Sequence, residues 1–215
     1  MSDIKNIEQH YSLDERPFLE KVRGFCQLVD DRYSPYLTDF LNPREIQIVE
    51  ELAHYYNLKF FVSSTPESEE YGRVILAPEY YELDDEDFEI KRLEISYARQ
   101  FNKLTHPKVL GALINQLGLD RQVFGDIILD EEGRVQFSIA SHLASYAIMT
   151  ITKIGNVSVT LKEVSKDDWI SNQENYSQSF VLLSSMRLDN VLATVLNLSR
   201  SNALKLIASG KVKLN

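Results

Sequence analysis

The spacing of apolar and polar residues predicts a small α/β module at the start of the chain. Apolar residues recur at helical spacing after Ser12 and again after Asn42, and a glutamate follows each of these residues three positions later, as in a capping box. Two strands are predicted next, over Lys59 to Ser63 and Arg73 to Ala77. We assign residues 1–89 to this N-terminal module.

From Ile90 the pattern changes to strand, helix, strand, strand, helix, strand. The two helices are predicted after Thr105 and from Ser141 to about Ile154. The order βαββαβ is that of ferredoxin-like folds, to which RNA-recognition motifs also belong. We assign this RRM-like module to residues 90–165 and interpret the acidic run before it, from Tyr80 to Phe88, as a solvated linker.

The last segment, residues 180–215, is typical of two short amphipathic helices followed by the start of a strand. Ser199 is a natural N-cap and Gly210 a natural C-cap, which predicts the second helix from about Arg200 to Ser209. Its apolar side includes Ala203, and its polar side is cationic. The predicted fold class is therefore α/β, of the α+β type, in three modules.

Charge is distributed unevenly along the chain. The formal net charge is −9, but residues 1–95 hold 10 Lys and Arg against 22 Asp and Glu, whereas residues 176–215 hold 5 against 1. An acidic surface repels phosphate, so the front of the chain is expected to face solvent or a protein. The basic end is the expected binding surface for the phosphate backbone of a nucleic acid.

The composition argues against a disulfide framework, a metal site and a membrane span. Cys26 is the only cysteine and is expected to be a buried small hydrophobic residue. The four histidines are scattered without metal-ligand spacing, so we expect no metal, no cofactor and no small-molecule substrate. No apolar run approaches membrane-spanning length and no secretory core follows Met1. We expect a cytoplasmic protein, a monomer, with no membrane partner.

The end of the chain resembles the S-four RNA-binding domain, which is named after the fourth protein of the small ribosomal subunit. Arg-Leu-Asp at 187–189, Leu-Ser-Arg-Ser at 198–201 and Gly-Lys-Val at 210–212 follow one another in the order of that domain. The resemblance implies that Asp189 ties the two helices together, and that the domain is incomplete at Asn215, because the family continues into a β-hairpin. The cationic and hydroxyl residues placed at or near the RNA face are Arg187, Ser199, Arg200, Ser201, Lys205, Lys211 and Lys213.

The loop from Arg99 to Pro107 in the middle module has two open interpretations. In the first, Thr105 caps the following helix, Asn102 shapes the turn and His106 is a residue of the first helical turn. In the second, the loop contacts phosphates or bases of RNA through its cations and hydrogen-bonding side chains. The residues of this second interpretation are Arg99, Gln100, Asn102, Lys103 and His106.

This loop, together with Phe124-Gly125-Asp126-Ile127 and Lys153-Ile154-Gly155, makes the whole chain similar to the YlmH family. The resemblance implies a non-catalytic RNA-binding protein whose partners are rRNA, tRNA and the large ribosomal subunit. It further implies a role in ribosome rescue or translation quality control on subunits that hold peptidyl-tRNA. Some members of the family carry a cell-division name.

Two other functions stay open at this stage. The first is an enzyme or accessory RNA-modification protein, but the sequence shows no glycine-rich phosphate loop and no nucleophile elbow. Asp126 is interpreted as a strand-start residue in a turn rather than as a catalytic aspartate. The second is a cell-division-linked factor that binds a partner protein through its acidic N-terminal module. Charge reversal at Arg200 would separate RNA binding from this second function.

Overall fold

The computed structural model describes residues 11–64, 69–170 and 180–212. One compact unit lies within Met1–Gln173 and a second within Glu174–Asn215. The first contains two main antiparallel sheets with their own helices, and the second contains a helix pair. This combination confirms the predicted α+β fold class. Over the described ranges, no helix combines the length and apolarity that crossing a bilayer would require.

The N-terminal module consists of α1 (Arg16–Arg32), β1 (Tyr36–Leu41), α2 (Pro43–Tyr55), β2 (Lys59–Val62) and β3 (Gly72–Ala77). Its sheet has the order β1-β3-β2, and every residue of the central strand β3 is buried. Val74 and Leu76 pack with the residues of α1 and α2, whereas Ile75 and Ala77 pack with Phe88 in a separate cluster. Successive side chains of a strand point to opposite faces of the sheet, so both faces of β3 are buried by apolar residues.

Local capping signals predicted one helix start well and another only in part. Asn42 and Glu45 form the complete capping box of α2, with N···O distances of 3.0 and 2.9 Å. At α1 only the reverse half forms: the Ser12 amide donates to Glu15 Oε2 at 2.8 Å, and Glu15 itself takes the N-cap position. Strand β1 was not predicted, because its six residues lie between two helices and its partner is the distant β3.

Two further predictions about the N-terminal module concern Cys26 and the acidic run that follows the sheet. Cys26 is fully buried in the helix layer, as predicted, and burial raises the pKa of its thiol to about 11. The run from Tyr80 to Phe88, predicted to be a solvated linker, is exposed over residues 82–86 but not at its end. Residues Asp85–Phe88 form a 3-10 helix, and Phe88 is buried against the N-terminal sheet.

The middle module consists of β4 (Ile90–Ser96), α3 (His106–Leu117), β5 (Phe124–Leu129), β6 (Val135–Ala140), α4 (Ser141–Thr150), β7 (Lys153–Ile154), β8 (Val157–Ser158) and β9 (Thr160–Glu163). Its four-stranded sheet has the order β5-β6-β4-β9 with antiparallel neighbours, which is the ferredoxin-like order that the element pattern predicted. Helix α4 ends earlier than predicted, at Thr150, because β7 and β8 form a small hairpin.

The N-terminal and middle modules contact each other directly within the first unit. Asp126 Oδ2 accepts hydrogen bonds from the backbone amides of Glu70 at 2.6 Å and Tyr71 at 3.1 Å. A Cβ on Gly125 would lie 2.7 Å from the ring of Phe40, so this strand position has room only for glycine. Asp126, which the sequence analysis interpreted as a strand-start residue in a turn, is the third residue of β5 and links the two modules.

The second unit contains α5 (Leu188–Val195) and α6 (Arg200–Ala208). The predicted caps of α6 are confirmed: Ser199 Oγ accepts from the Asn202 amide at 3.3 Å, and Gly210 has a left-handed φ of 67°. Among the described residues of this unit, only Asp189 and Ala203 are buried. The other apolar side chains between the two helices are half-buried: Leu188, Leu192, Leu206 and Ile207.

Candidate nucleic-acid interface

A buried carboxylate connects the two C-terminal helices. Arg200 Nε donates to Asp189 Oδ2 at 2.7 Å, and Arg187 Nε donates to Asp189 Oδ1 at 3.1 Å. Asp189 is only 4% exposed, whereas both arginine side chains are more than half exposed. The hydrogen bonds from Arg200 and Arg187 lower the pKa of Asp189 to about 2. Asp189 therefore ties α5 to α6, as the sequence predicted.

The same contact orients the two arginines that the sequence placed at the RNA face. Each guanidinium uses its Nε on Asp189 and makes no hydrogen bond to another described residue through its terminal nitrogens. A guanidinium is planar, so fixing one edge also fixes the direction of the remaining donors. Those donors can bind a phosphate in a forked geometry without breaking the contact to Asp189.

The remaining predicted residues of this surface lie along α6 and just beyond it, with Ser199 and Ser201 at its start, Lys205 in its last turn and Lys211 after its C-terminal end. Ser201 is exposed, and its hydroxyl lies 3.1 Å from that of Ser199. Lys205 and Lys211 are exposed and form no ion pair with a described residue. A helix N-terminus attracts anions through its free amides, and these lysines add positive charge at the other end of the same helix. Lys213 lies outside the described residues.

The lowered pKa of Asp189 predicts that the helix pair loosens in acid. A carboxyl whose pKa falls on folding contributes stability above its ordinary value of 3.8 and loses it as the pH falls toward 2. NMR should therefore show the methyl signal of the buried Ala203 in its native position at pH 6 and shifted toward the unfolded position below about pH 4. Asp189→Asn should already be loosened at pH 6 and should change less with pH. Identical profiles for the two proteins would contradict the assignment.

In the middle module, the sheet face that RNA-recognition motifs use for bases is closed. Those motifs stack bases on aromatic residues of the open sheet face. Here that face, opposite α3 and α4, carries polar side chains from β4 and β6, and the aromatic Phe137 lies in the apolar core on the helix side. The polar side chains of the closed face are Arg92, Glu94, Gln136 and Ser138, and all of them are buried.

The segment after β9 covers this face. Gln136 Nε2 donates to the backbone oxygen of Asp168 at 2.9 Å, and its Oε1 accepts from the Ile170 amide at 3.0 Å. The Arg92 guanidinium lies 4.1 Å from the ring centre of Trp169, and burial lowers the pKa of Arg92 to about 10. The N-terminal module adds an ion pair from Glu69 to Arg92. The chain itself therefore occupies the surface where a base would stack.

The loop before α3 is held in a defined turn. The Ala98 carbonyl accepts from the amides of Phe101 and Asn102, both at 3.2 Å, and from Asn102 Nδ2 at 3.1 Å. The Tyr97 hydroxyl donates to the backbone oxygen of Gly133 at 2.8 Å. Asn102 shapes the turn, as the first interpretation of the loop predicted. His106 is the first residue of α3, which that interpretation also predicted, but the predicted cap by Thr105 was wrong, because its side chain makes no capping hydrogen bond.

The side chains that could contact RNA project from this turn. Arg99, Gln100, Lys103 and His106 are exposed and form no ion pair with a described residue. Phe101, which the sequence analysis did not select, is 85% exposed between them. The signal that could have identified it is an aromatic residue inside an otherwise polar, cationic loop. In the part of the chain that the structure describes, no group of His, Cys, Asp or Glu side chains is arranged to hold a metal ion.

Two segments of the chain match known protein families. Residues 84–168 match the family model for a proposed RNA-binding domain in YlmH, and residues 186–215 match that of the S4 domain, here written S-four. The first match contains the closed sheet and the cationic loop. The second contains the helix pair around Asp189.

Two relatives match a larger part of the chain. The ribosome-associated protein quality control protein P2 of Bacillus subtilis (strain 168) is 32% identical over 212 residues, which cover 99% of this chain and 82% of the relative. Among solved structures, the cell division protein ylmH from Streptococcus pneumoniae is 40% identical and superposes with a TM-score of 0.67. That match covers 75% of this chain and 98% of the solved chain.

Proposed function

The chain belongs to the YlmH family, and on that basis we propose that it binds structured rRNA or tRNA on the large ribosomal subunit without catalysing a reaction. The proposed setting is ribosome rescue or quality control on subunits that still hold peptidyl-tRNA. The name of the Bacillus subtilis relative, a ribosome-associated quality control protein, supports this setting. The protein would act in the cytoplasm as a monomer.

The observation that carries the proposal is the exposed cationic surface that runs from Arg187 along α6 to Lys211. Arg187 and Arg200 are oriented by the buried Asp189, and Lys205 and Lys211 extend the charge along the same helix and beyond it. Residues 1–95 hold 10 Lys and Arg against 22 Asp and Glu, so phosphate is attracted to one end of the chain and repelled by the other. This polarity would direct the C-terminal helices toward RNA.

The experiment that tests the proposal is sedimentation of the purified protein with large ribosomal subunits through sucrose gradients. Subunits with and without bound peptidyl-tRNA should be compared at low and raised salt. We expect co-sedimentation that weakens as salt rises, because phosphate contacts release counterions, and tighter binding when peptidyl-tRNA is present. A protein that stays at the top of every gradient would contradict the proposal.

A second candidate function is a protein-interaction role linked to cell division. It is favoured by the acidic composition of residues 1–95 and by the name of the Streptococcus pneumoniae relative. Under this alternative, removing charge from the C-terminal helices would leave the cellular partner bound. Loss of binding in those variants would favour the RNA-binding function instead.

A further inference from the structure

We infer that Phe101 stacks on an unpaired RNA base, so that the middle module takes a single-stranded or flipped-out nucleotide through its loop rather than its sheet. The inference rests on the proposed function as an RNA-binding protein. It deepens that function by naming the form of RNA that the module selects. Base stacking on an aromatic ring needs an unstacked base, which a regular duplex does not offer.

The first argument is the presentation of the ring. Phe101 is 85% exposed, although an apolar ring of this size would ordinarily gain by burial. The turn that carries it is held by the Ala98 carbonyl and by Leu104, which is buried in the core of the module. Because the backbone of the turn is already ordered, stacking of a base on the ring costs the loop little additional conformational entropy.

The second argument is the charge around the ring. No Asp or Glu occurs between Glu94 and Asp120, in a protein whose overall composition is acidic. Arg99, Lys103 and Lys108 all lie in this interval and are exposed. An aromatic ring beside cations is the arrangement with which proteins bind single strands, because the cations hold the backbone while the ring stacks on a base.

The third argument is that the sheet face and the most exposed tyrosines of the first unit are unsuitable. The sheet face is closed by Asp168 and Ile170, so no base can reach it. Tyr33 and Tyr80 do form an exposed ring pair, with centroids 5.0 Å apart, but carboxylates flank them in sequence at Asp31 and Glu79. Phosphate would be repelled there, whereas it is attracted beside Phe101.

The test compares the full chain with Phe101→Ala and Phe101→Tyr in binding two probes. The probes are a fluorescein-labelled oligouridine strand and an RNA duplex of the same length. We expect Phe101→Ala to weaken binding of the single strand by about ten- to one-hundred-fold and to leave duplex binding unchanged. Phe101→Tyr should restore binding, because a phenol ring also stacks. The salt dependence should be the same in all three proteins, because no charge is altered.

Three controls make the result specific. Met149→Ala removes an exposed apolar side chain from α4 of the same module and should leave both probes bound as in the wild type. Lys103→Ala should weaken binding and reduce the salt slope by about one, unlike Phe101→Ala. Unchanged melting temperatures would show that the variants fold.

The inference is overturned if Phe101→Ala binds oligouridine like the wild type, if it loses duplex binding equally, or if the wild type fails to bind oligouridine at low salt. A Phe101 variant that binds both probes normally but loses a protein partner would assign the ring to protein contact instead. The proposed ribosome function is tested independently, because that experiment uses large ribosomal subunits and this one uses oligouridine. Either proposal can therefore fail without the other.

Discussion

Combined reversal of Lys205 and Lys211 to glutamate is expected to reduce binding of the large ribosomal subunit by about a hundredfold or more. Each lysine that loses a charged hydrogen bond to phosphate costs about 1–3 kcal/mol, and each introduced carboxylate adds repulsion. The salt slope should also become shallower by about two, since two phosphate contacts are removed. Sedimentation with purified subunits over a salt series measures both quantities.

The structure favours these two lysines over Arg200 for this experiment. Arg200→Glu would place a second carboxylate beside the buried Asp189. The charged form of Asp189 is stabilised by its hydrogen bonds from Arg200 and Arg187, and one of these would be lost. That variant would separate α5 from α6 and lose RNA binding for a structural reason. Lys205 and Lys211 have no ion pair with a described residue, so their reversal tests the surface itself.

The matched control is Arg16→Glu with Lys21→Glu, which changes the net charge equally but in the acidic N-terminal module. Both residues are exposed on α1. This control should sediment with the subunit like the wild type. If the lysine variant also keeps the wild-type affinity and salt slope, the C-terminal helices do not contact RNA and the protein-interaction function gains support.

Phe137→Ala is expected to destabilise the first unit by about 3–5 kcal/mol, a large part of the total stability of an ordinary domain. Phe137 is fully buried in β6, pairs with Leu93 and Ile127 on the neighbouring strands, and meets Phe124 edge to face at 6.4 Å. Removing the ring leaves a cavity that this close-packed core cannot refill. Urea unfolding followed by the fluorescence of Trp169, the only tryptophan, measures the loss.

Phe101→Ala is the matched control for this prediction, since it deletes the same ring from an exposed position in the same module. Its free energy of unfolding should stay within about 0.5 kcal/mol of the wild type. The two variants therefore separate the roles of the two phenylalanines: one should lose stability, and the other should lose single-strand binding. Equal urea midpoints for Phe137→Ala and the wild type would contradict the core described here.

The sequence by itself determined the features that depend on neighbouring residues. The cap at Asn42 and the cap at Ser199 were predicted correctly, because a capping side chain bonds to amides only two or three residues away. The order of strands and helices in the middle module was also predictable, since periodicity reports which face of each element is apolar. The concentration of basic charge at the C-terminal end is a property of composition.

Only the tertiary structure decided which polar residues are buried and which aromatic residue is free. Gln136 is fully buried, and its partners at Asp168 and Ile170 lie more than thirty residues further along the chain. A local sequence pattern predicts that such a residue is exposed, because a polar side chain is buried only where it finds hydrogen-bond partners. Here a distant segment supplies those partners. That distant segment closes the sheet face and so leaves Phe101 in the loop as the aromatic residue of this module best placed to meet RNA.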